Sequence, residues 1–134
     1  MQLHTAGLVV IKNRKLLLAF SDNKKAFYLP GGKVDAGETA TQALVREIQE
    51  ELNIIMEENK LQYYTHITAP AFGEQQGIIM EQDCYLYDLT ATPVANAEIG
   101  ALDYFDSTSY ALQPAQVPGV VTIIEQLKAD DMIA

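Results

Sequence analysis

Three glutamates, Glu47, Glu50 and Glu51, stand at i, i+3 and i+4 in the segment ATQALVREIQEEL. In a helix this spacing sets three carboxylates on one face, beside the apolar stripe of Ala40, Leu44, Ile48 and Leu52 rather than opposite it. Like charges so placed cost a helix about 0.2–0.5 kcal/mol per pair. Either the face is simply solvated, or a cation offsets the repulsion. Paired glycines, Gly31 and Gly32, lie just upstream, and a backbone without Cβ lets a ligand approach closely. Carboxylate oxygens suit hard divalent cations such as Mg2+ or Mn2+, which keep several waters and bridge to substrate phosphates.

The charge balance agrees. The 134 residues carry a formal net charge of -9, which repels nucleic acid polymers and anionic membranes, so a polyanionic partner needs positive charge brought in from elsewhere. A divalent metal is the obvious source. The 49% hydrophobic and 20% charged content is ordinary for a globular protein, and the length suits one domain with a real core, as monomer or homodimer. Cys84, the one cysteine, lies in an apolar and aromatic stretch and reads as a buried core thiol. No basic leader or long apolar run is present, so the expectation is a soluble cytoplasmic protein.

Several elements must position the glutamates. Residues 5–11 and 15–20 are β-rich runs around the polar Lys12-Asn13-Arg14, a hairpin pattern. Phe27-Tyr28-Leu29 runs extended into Pro30, after which Gly31 and Gly32 should break the strand. The helix should cover 39–52, because Thr39 and Gln42 have capping-box spacing. Strands are expected at 61–68, 78–90 and 101–105, with a loop carrying Pro70, Gly73 and Gly77 between the first two. A second helix should begin near Pro118. Strands with two helices, one inserted between strands, imply an α+β fold with a mixed sheet covered on its faces.

Gly32, five residues, Glu38, seven residues, then Arg46-Glu47-Ile48-Gln49-Glu50-Glu51-Leu52-Asn53-Ile54 resembles the Nudix box, G-x5-E-x7-R-E-U-x-E-E-x-G-U with U aliphatic. One position departs: Asn53 stands where the family has glycine. Asparagine is the next best residue for the left-handed conformation at a helix C-terminus, so the fold should tolerate it. The resemblance extends in outline to LPGGK, the length and the strand order.

That resemblance implies an α/β/α sandwich with a mixed sheet and a hydrolase that cleaves nucleoside diphosphate-linked compounds with Mg2+ or Mn2+. It implies catalytic roles for Glu38, Arg46, Glu47 and Glu50, with Arg46 holding Glu38 and its loop against the helix. Glu47, Glu50 and Glu51 would be metal ligands. Glu98 resembles the fourth acidic ligand of the MutT-like branch, with Glu74 and Glu81 as rivals. Backbone N–H groups at Gly31 and Gly32 could contact phosphate; Lys33 reads equally as a phosphate contact or an exposed loop lysine. Gln116 is placed like an amide that reads a purine base, though it could equally cap the final helix. His4, His66 and Tyr63, Tyr64, Tyr85 and Tyr87 read as structural.

The first functional expectation is a MutT-like nucleoside triphosphate pyrophosphohydrolase releasing nucleoside monophosphate and pyrophosphate, which the bare domain length favours. Alternatives are an ADP-ribose or nucleotide-sugar pyrophosphatase, or a Nudix-fold sensor that binds a nucleotide without cleaving it. The intact glutamate triad counts against the sensor.

Overall fold

Asn13 and Arg14 both adopt left-handed backbone, with φ of 53° and 60°, the conformation of a two-residue turn whose twist matches its strands. They close β2 (Ile11–Lys12) onto β3 (Lys15–Ser21) in the expected hairpin. The computed structural model describes residues 1–134. In it the apolar run before that turn is divided. β1 (Gln2–Val9) belongs to a different sheet, and Val10 is the pivot, accepting from the Leu17 N–H at 2.9 Å.

The first sheet is mixed. β1 runs parallel to β7 (Ile79–Leu86) and antiparallel to β5 (Gly31–Lys33), while β6 (Gln62–Pro70) is antiparallel to β7. The second is antiparallel, with β3 pairing β2, β4 (Ala26–Tyr28) and β8 (Ile99–Phe105). Contrary to the sequence expectation, Gly31 and Gly32 do not break a strand: they pair with Gly7 and Ala6. Gly31, at φ 136°, lies so close to β1 that a Cβ would stand 2.1 Å from the Ala6 carbonyl oxygen. The expected strand at 78–90 ends at Leu86.

Helix α1 (Ala40–Leu52) begins with the expected capping box, Thr39 Oγ1 accepting from the Gln42 N–H and the Gln42 side chain accepting from the Thr39 N–H. It ends at Asn53 in left-handed conformation, φ 57° and ψ 39°. Its buried face, Ala43, Leu44, Ile48 and Leu52, packs on Ala6 and Leu8 of the mixed sheet and on Val10 just beyond it. On the other side of that sheet α3 (Pro118–Ala129) buries Val120, Ile123, Ile124 and Leu127 against Val9, Ile67 and Cys84. A short helix unforeseen in the sequence, α2 (Ser107–Ala111), is started by Asp106, whose carboxylate accepts from the Ser109 N–H.

The Thr39 cap carries the entry to the helix that holds the glutamates. Thr39→Ala should lower unfolding free energy by about 1 kcal/mol, measured by urea denaturation.

Candidate active site

The C-terminal carbonyls of α1 need partners, and a distant loop supplies them. Val94 N–H donates to Leu52 O (3.1 Å) and Asn96 N–H to Glu51 O (2.9 Å), while Asn96 Nδ2 donates to Glu50 O (3.2 Å). This tie brings Glu98, just beyond, to the same cavity as the helix glutamates. Glu98 Oε2 accepts from Asn23 Nδ2 at 2.8 Å, a positioning contact with no sequence signal of its own.

Glu47 sits where a side chain on Gly32 would be: a Cβ there would meet its carboxyl carbon at 2.5 Å. Glu51 Oε1 accepts from the Gly31 N–H at 2.9 Å. The two glycines thus work in opposite senses. Gly32 leaves room for one carboxylate, and Gly31 binds the other through its backbone. Glu50, with a side chain 56% exposed, reaches outward to within 3.7 Å of Arg46.

Arg46 gathers the acidic groups. It donates from Nε and Nη2 to the two oxygens of Glu38 (2.8 and 2.9 Å), from Nη1 to Glu47 Oε1 (2.9 Å), and from Nη2 to the Lys33 carbonyl (3.1 Å). These bonds hold the Glu38 carboxyl down at about 2. A two-pronged, hydrogen-bonded pair is worth more than an ordinary surface ion pair, and it fastens the loop before α1 to the helix.

Burial pushes the Glu47 carboxyl up, against the pull of Arg46. Burial likewise pushes Glu51 up to about 8, against the Gly31 N–H, and the charges of Glu47, Glu98 and Glu50 add to it. The folded protein therefore holds the Glu51 proton more tightly than the unfolded chain does. Between the ordinary carboxyl range and about 8, rising pH draws that proton first from the unfolded chain, and stability falls. Melting curves in chelator from about pH 5 to about pH 9 should show this decline, and Mg2+ should reduce it.

The carboxylates line one wall without enclosing a common point, since no three acidic or imidazole groups converge at ligating distance. Glu47 is turned to Arg46 and Glu51 to Gly31. The donor set nonetheless suits a hard divalent cation: it is all oxygen, partly buried, and carries negative charge with one arginine beside it. The cavity that Glu47, Glu51 and Glu98 line measures about 420 Å3, with apolar walls that include Tyr28, Leu29, Phe72 and Met80.

The other expected site residues divide. Gly31, Gly32, Lys33 and Glu74 line the cavity, with Glu74 3.7 Å from Lys33 and 3.5 Å from Lys24. Glu81 does not line it, being bonded to His66 (2.7 Å) and Thr68 (2.8 Å) on the sheet face that α1 shares. Nor does Gln116. Its Nε2 donates to the carbonyls of Tyr110 and Gln113 (2.9 and 2.8 Å), so it caps the end of α2 and not the start of the final helix, α3, which has no side-chain cap. His4 and His66 are both bonded to Asp83, a structural use. Thr5 and Gln82 also stand in the cavity wall, and no motif marks them. Their one signal in the sequence is a polar residue on the inward side of an alternating strand.

The model of the NUDIX domain matches residues 1–122. The chain belongs to the Nudix family. It is a hydrolase of that family's kind, acting on nucleoside diphosphate-linked substrates. It is 36% identical over 97 residues to the 8-oxo-dGTP diphosphatase of Haemophilus influenzae, covering 58% of this chain and 70% of that protein. It is 45% identical over 51 residues to the ADP-ribose pyrophosphatase of Methanocaldococcus jannaschii, covering 37% of this chain and 30% of that one. Among solved structures, a MutT NUDIX hydrolase from Burkholderia pseudomallei superposes with a TM-score of 0.73 at 22% identity, over 94% of this chain and 97% of the other. That likeness shows the α+β Nudix fold. No helix is long and apolar enough to cross a membrane.

Proposed function

We propose that this Nudix chain is a MutT-like nucleoside triphosphate pyrophosphohydrolase. The observation that carries the reading is a single cavity whose lining joins Glu47, Glu51 and Glu98 to apolar and aromatic side chains such as Tyr28, Leu29 and Phe72. Such a lining offers carboxylates for the metal that a phosphate chain needs, and apolar and aromatic surface for a flat base. The likeness to the 8-oxo-dGTP diphosphatase supports it, because it runs over 97 residues and 70% of that protein, well beyond the 23-residue box of 32–54.

Glu47, Glu50 and Glu51, with Glu98 as the fourth, would hold Mg2+ or Mn2+. When bound, the metal neutralises phosphate charge and polarises the phosphoryl group. Water adds at phosphorus, its proton passes to one of these carboxylates, and the bridging P–O bond breaks to release nucleoside monophosphate and pyrophosphate. Glu38 and Arg46 act by position: the pair holds the loop on the helix, and Arg46 fixes the Glu47 carboxylate. Lys33 lines the same cavity and can reach phosphate oxygens, whereas the Gly31 N–H is already taken by Glu51.

A second reading, ADP-ribose pyrophosphatase, is favoured by the 45% identity to the archaeal enzyme, though this chain covers 30% of that enzyme's length. A hydrolysis panel with Mg2+ and Mn2+ separates the two. Nucleoside triphosphates and oxidised guanine nucleotides should yield monophosphate and pyrophosphate. Turnover confined to ADP-ribose or nucleotide sugars would replace the first reading with the second. Nucleotide binding without any turnover would leave a sensor.

A further inference from the structure

Two polar side chains in the cavity wall lack the partners that buried polar groups normally have. Thr5 is 6% exposed, and its Oγ1 is buried with no hydrogen-bond partner. Gln82 is 8% exposed, and its amide has only a long contact, 3.8 Å, from Cys84 Sγ to Oε1. β1 and β7 run parallel with Thr5 paired to Gln82, so the two side chains leave neighbouring strands on one face, and both line the cavity.

The placement of the amide is built in. A Cβ on Gly7 would stand 3.1 Å from Gln82 Cδ and Nε2 and 3.0 Å from the Leu29 side chain. The amide therefore lies over bare backbone, with Leu29 closing the same space. A buried hydroxyl left unbonded is destabilising, and so is an amide short of partners. Valine and leucine would fill the same volumes without that cost. A ligand that supplies the missing partners offsets it.

We propose that Thr5 and Gln82 form a specificity subsite that reads the hydrogen-bonding edge of a nucleobase offering a donor beside an acceptor. This rests on the reading of the cavity as a nucleotide site. A glutamine amide presents donor and acceptor side by side, and a threonine hydroxyl turns to serve as either. The surrounding wall suits a flat ring: Tyr28 and Phe72 pack edge to face with centroids 6.0 Å apart, and Leu3 and Met80 flank the polar pair on the same two strands. Glu47, Glu51 and Glu98, which would hold the metal and with it the phosphates, line the same cavity. Thr5 and Gln82 carry no charge and bond to none of these carboxylates, so their part is to choose among bases rather than to act on the reacting bond.

The test is calorimetric titration, with Mg2+, of wild type, Thr5→Val, Gln82→Leu and Gln82→Glu with the four nucleoside monophosphates, and with ribose 5-phosphate as the base-free control. Wild type should bind at least one monophosphate more tightly than ribose 5-phosphate. Thr5→Val and Gln82→Leu should each weaken that monophosphate roughly tenfold, the loss of one hydrogen bond, with ribose 5-phosphate unchanged within about twofold. Gln82→Glu keeps the size but no longer donates, and should re-rank the four bases toward those presenting donors. Thr5→Val should melt no lower than wild type, which separates a lost ligand contact from a damaged fold. Unchanged monophosphate affinities in the variants would overturn the subsite, as would equal losses for ribose 5-phosphate, or a wild type that ignores the base. If triphosphates are not hydrolysed but the binding pattern appears, the hydrolase reading fails and the subsite stands. Hydrolysis with the binding pattern absent gives the converse.

Discussion

Glu51→Gln is expected to leave a folded protein whose metal-dependent nucleotide hydrolysis is at least roughly 100-fold slower. Removing a group that merely supports a metal ligand costs about 10- to 100-fold, and removing a proton-transferring group about 10²- to 10⁴-fold. Glu51 is among the carboxylates proposed to hold the cation, so its loss should reach the upper part of that range. The stability effect should have the opposite sign. Glutamine can still accept from the Gly31 N–H through its carbonyl oxygen and has no charge to desolvate, whereas the buried carboxyl is pushed up to about 8. In chelator, above about pH 8, the variant should melt higher than wild type. The upward shift in melting temperature that Mg2+ gives wild type should shrink in the variant. Full turnover by Glu51→Gln with an unaltered Mg2+ shift would remove Glu51 from the metal site.

The adjacent glycines should fail differently when each is replaced by alanine. At Gly31 the new methyl meets backbone, 2.1 Å from the Ala6 carbonyl oxygen, at a φ of 136° that side chains rarely adopt. Ala6 is buried in β1, which is hydrogen-bonded on both sides, so neither strand can retreat cheaply. Strain and overpacking together should cost about 2–5 kcal/mol. At Gly32 the methyl meets the movable end of a side chain, the Glu47 carboxyl at 2.5 Å. The carboxylate can swing aside, so stability should change by only about 1 kcal/mol. Activity should fall steeply because Glu47 is displaced from the cavity wall. Urea denaturation read beside kcat distinguishes the two. If Gly31→Ala unfolds like wild type, or Gly32→Ala keeps wild-type turnover, the corresponding contact does not constrain the protein.

Features that depend on residues close in the chain are legible in the sequence alone. The α1 helix follows from a four-residue apolar recurrence, its start from Thr39 and Gln42, and its end from the tolerance of Asn53 for left-handed backbone. The bond between Arg46 and Glu38 is legible through resemblance, eight residues apart across a loop end and nearly two helical turns. Helical geometry alone then sets Glu47, Glu50 and Glu51 on one side. What escapes involves partners far away in sequence. Val10 is apolar like its neighbours, and nothing local shows that the chain there leaves one sheet for another. Gly31 and Gly32 look like a break, since glycine is poor in strands in isolation, yet Gly31 is needed where β5 approaches β1 too closely for a side chain, and Gly32 leaves room for the Glu47 carboxylate. Gln116 can cap or read a base until the position of α2 settles its hydrogen bonds.

By itself, then, the sequence determined the helix, its caps and the order of the acidic groups, because turns of helix and hydrogen bonds across three or four residues are local. Tertiary structure decided what those groups face. It joined Glu98 to the helix through carbonyls that α1 could not satisfy itself, set Thr5 beside Gln82 across a parallel pairing of strands more than seventy residues apart, and turned Gln116 and Glu81 away. Those outcomes depend on which strands pair, and in what register, and pairing is a property of the whole core rather than of any segment.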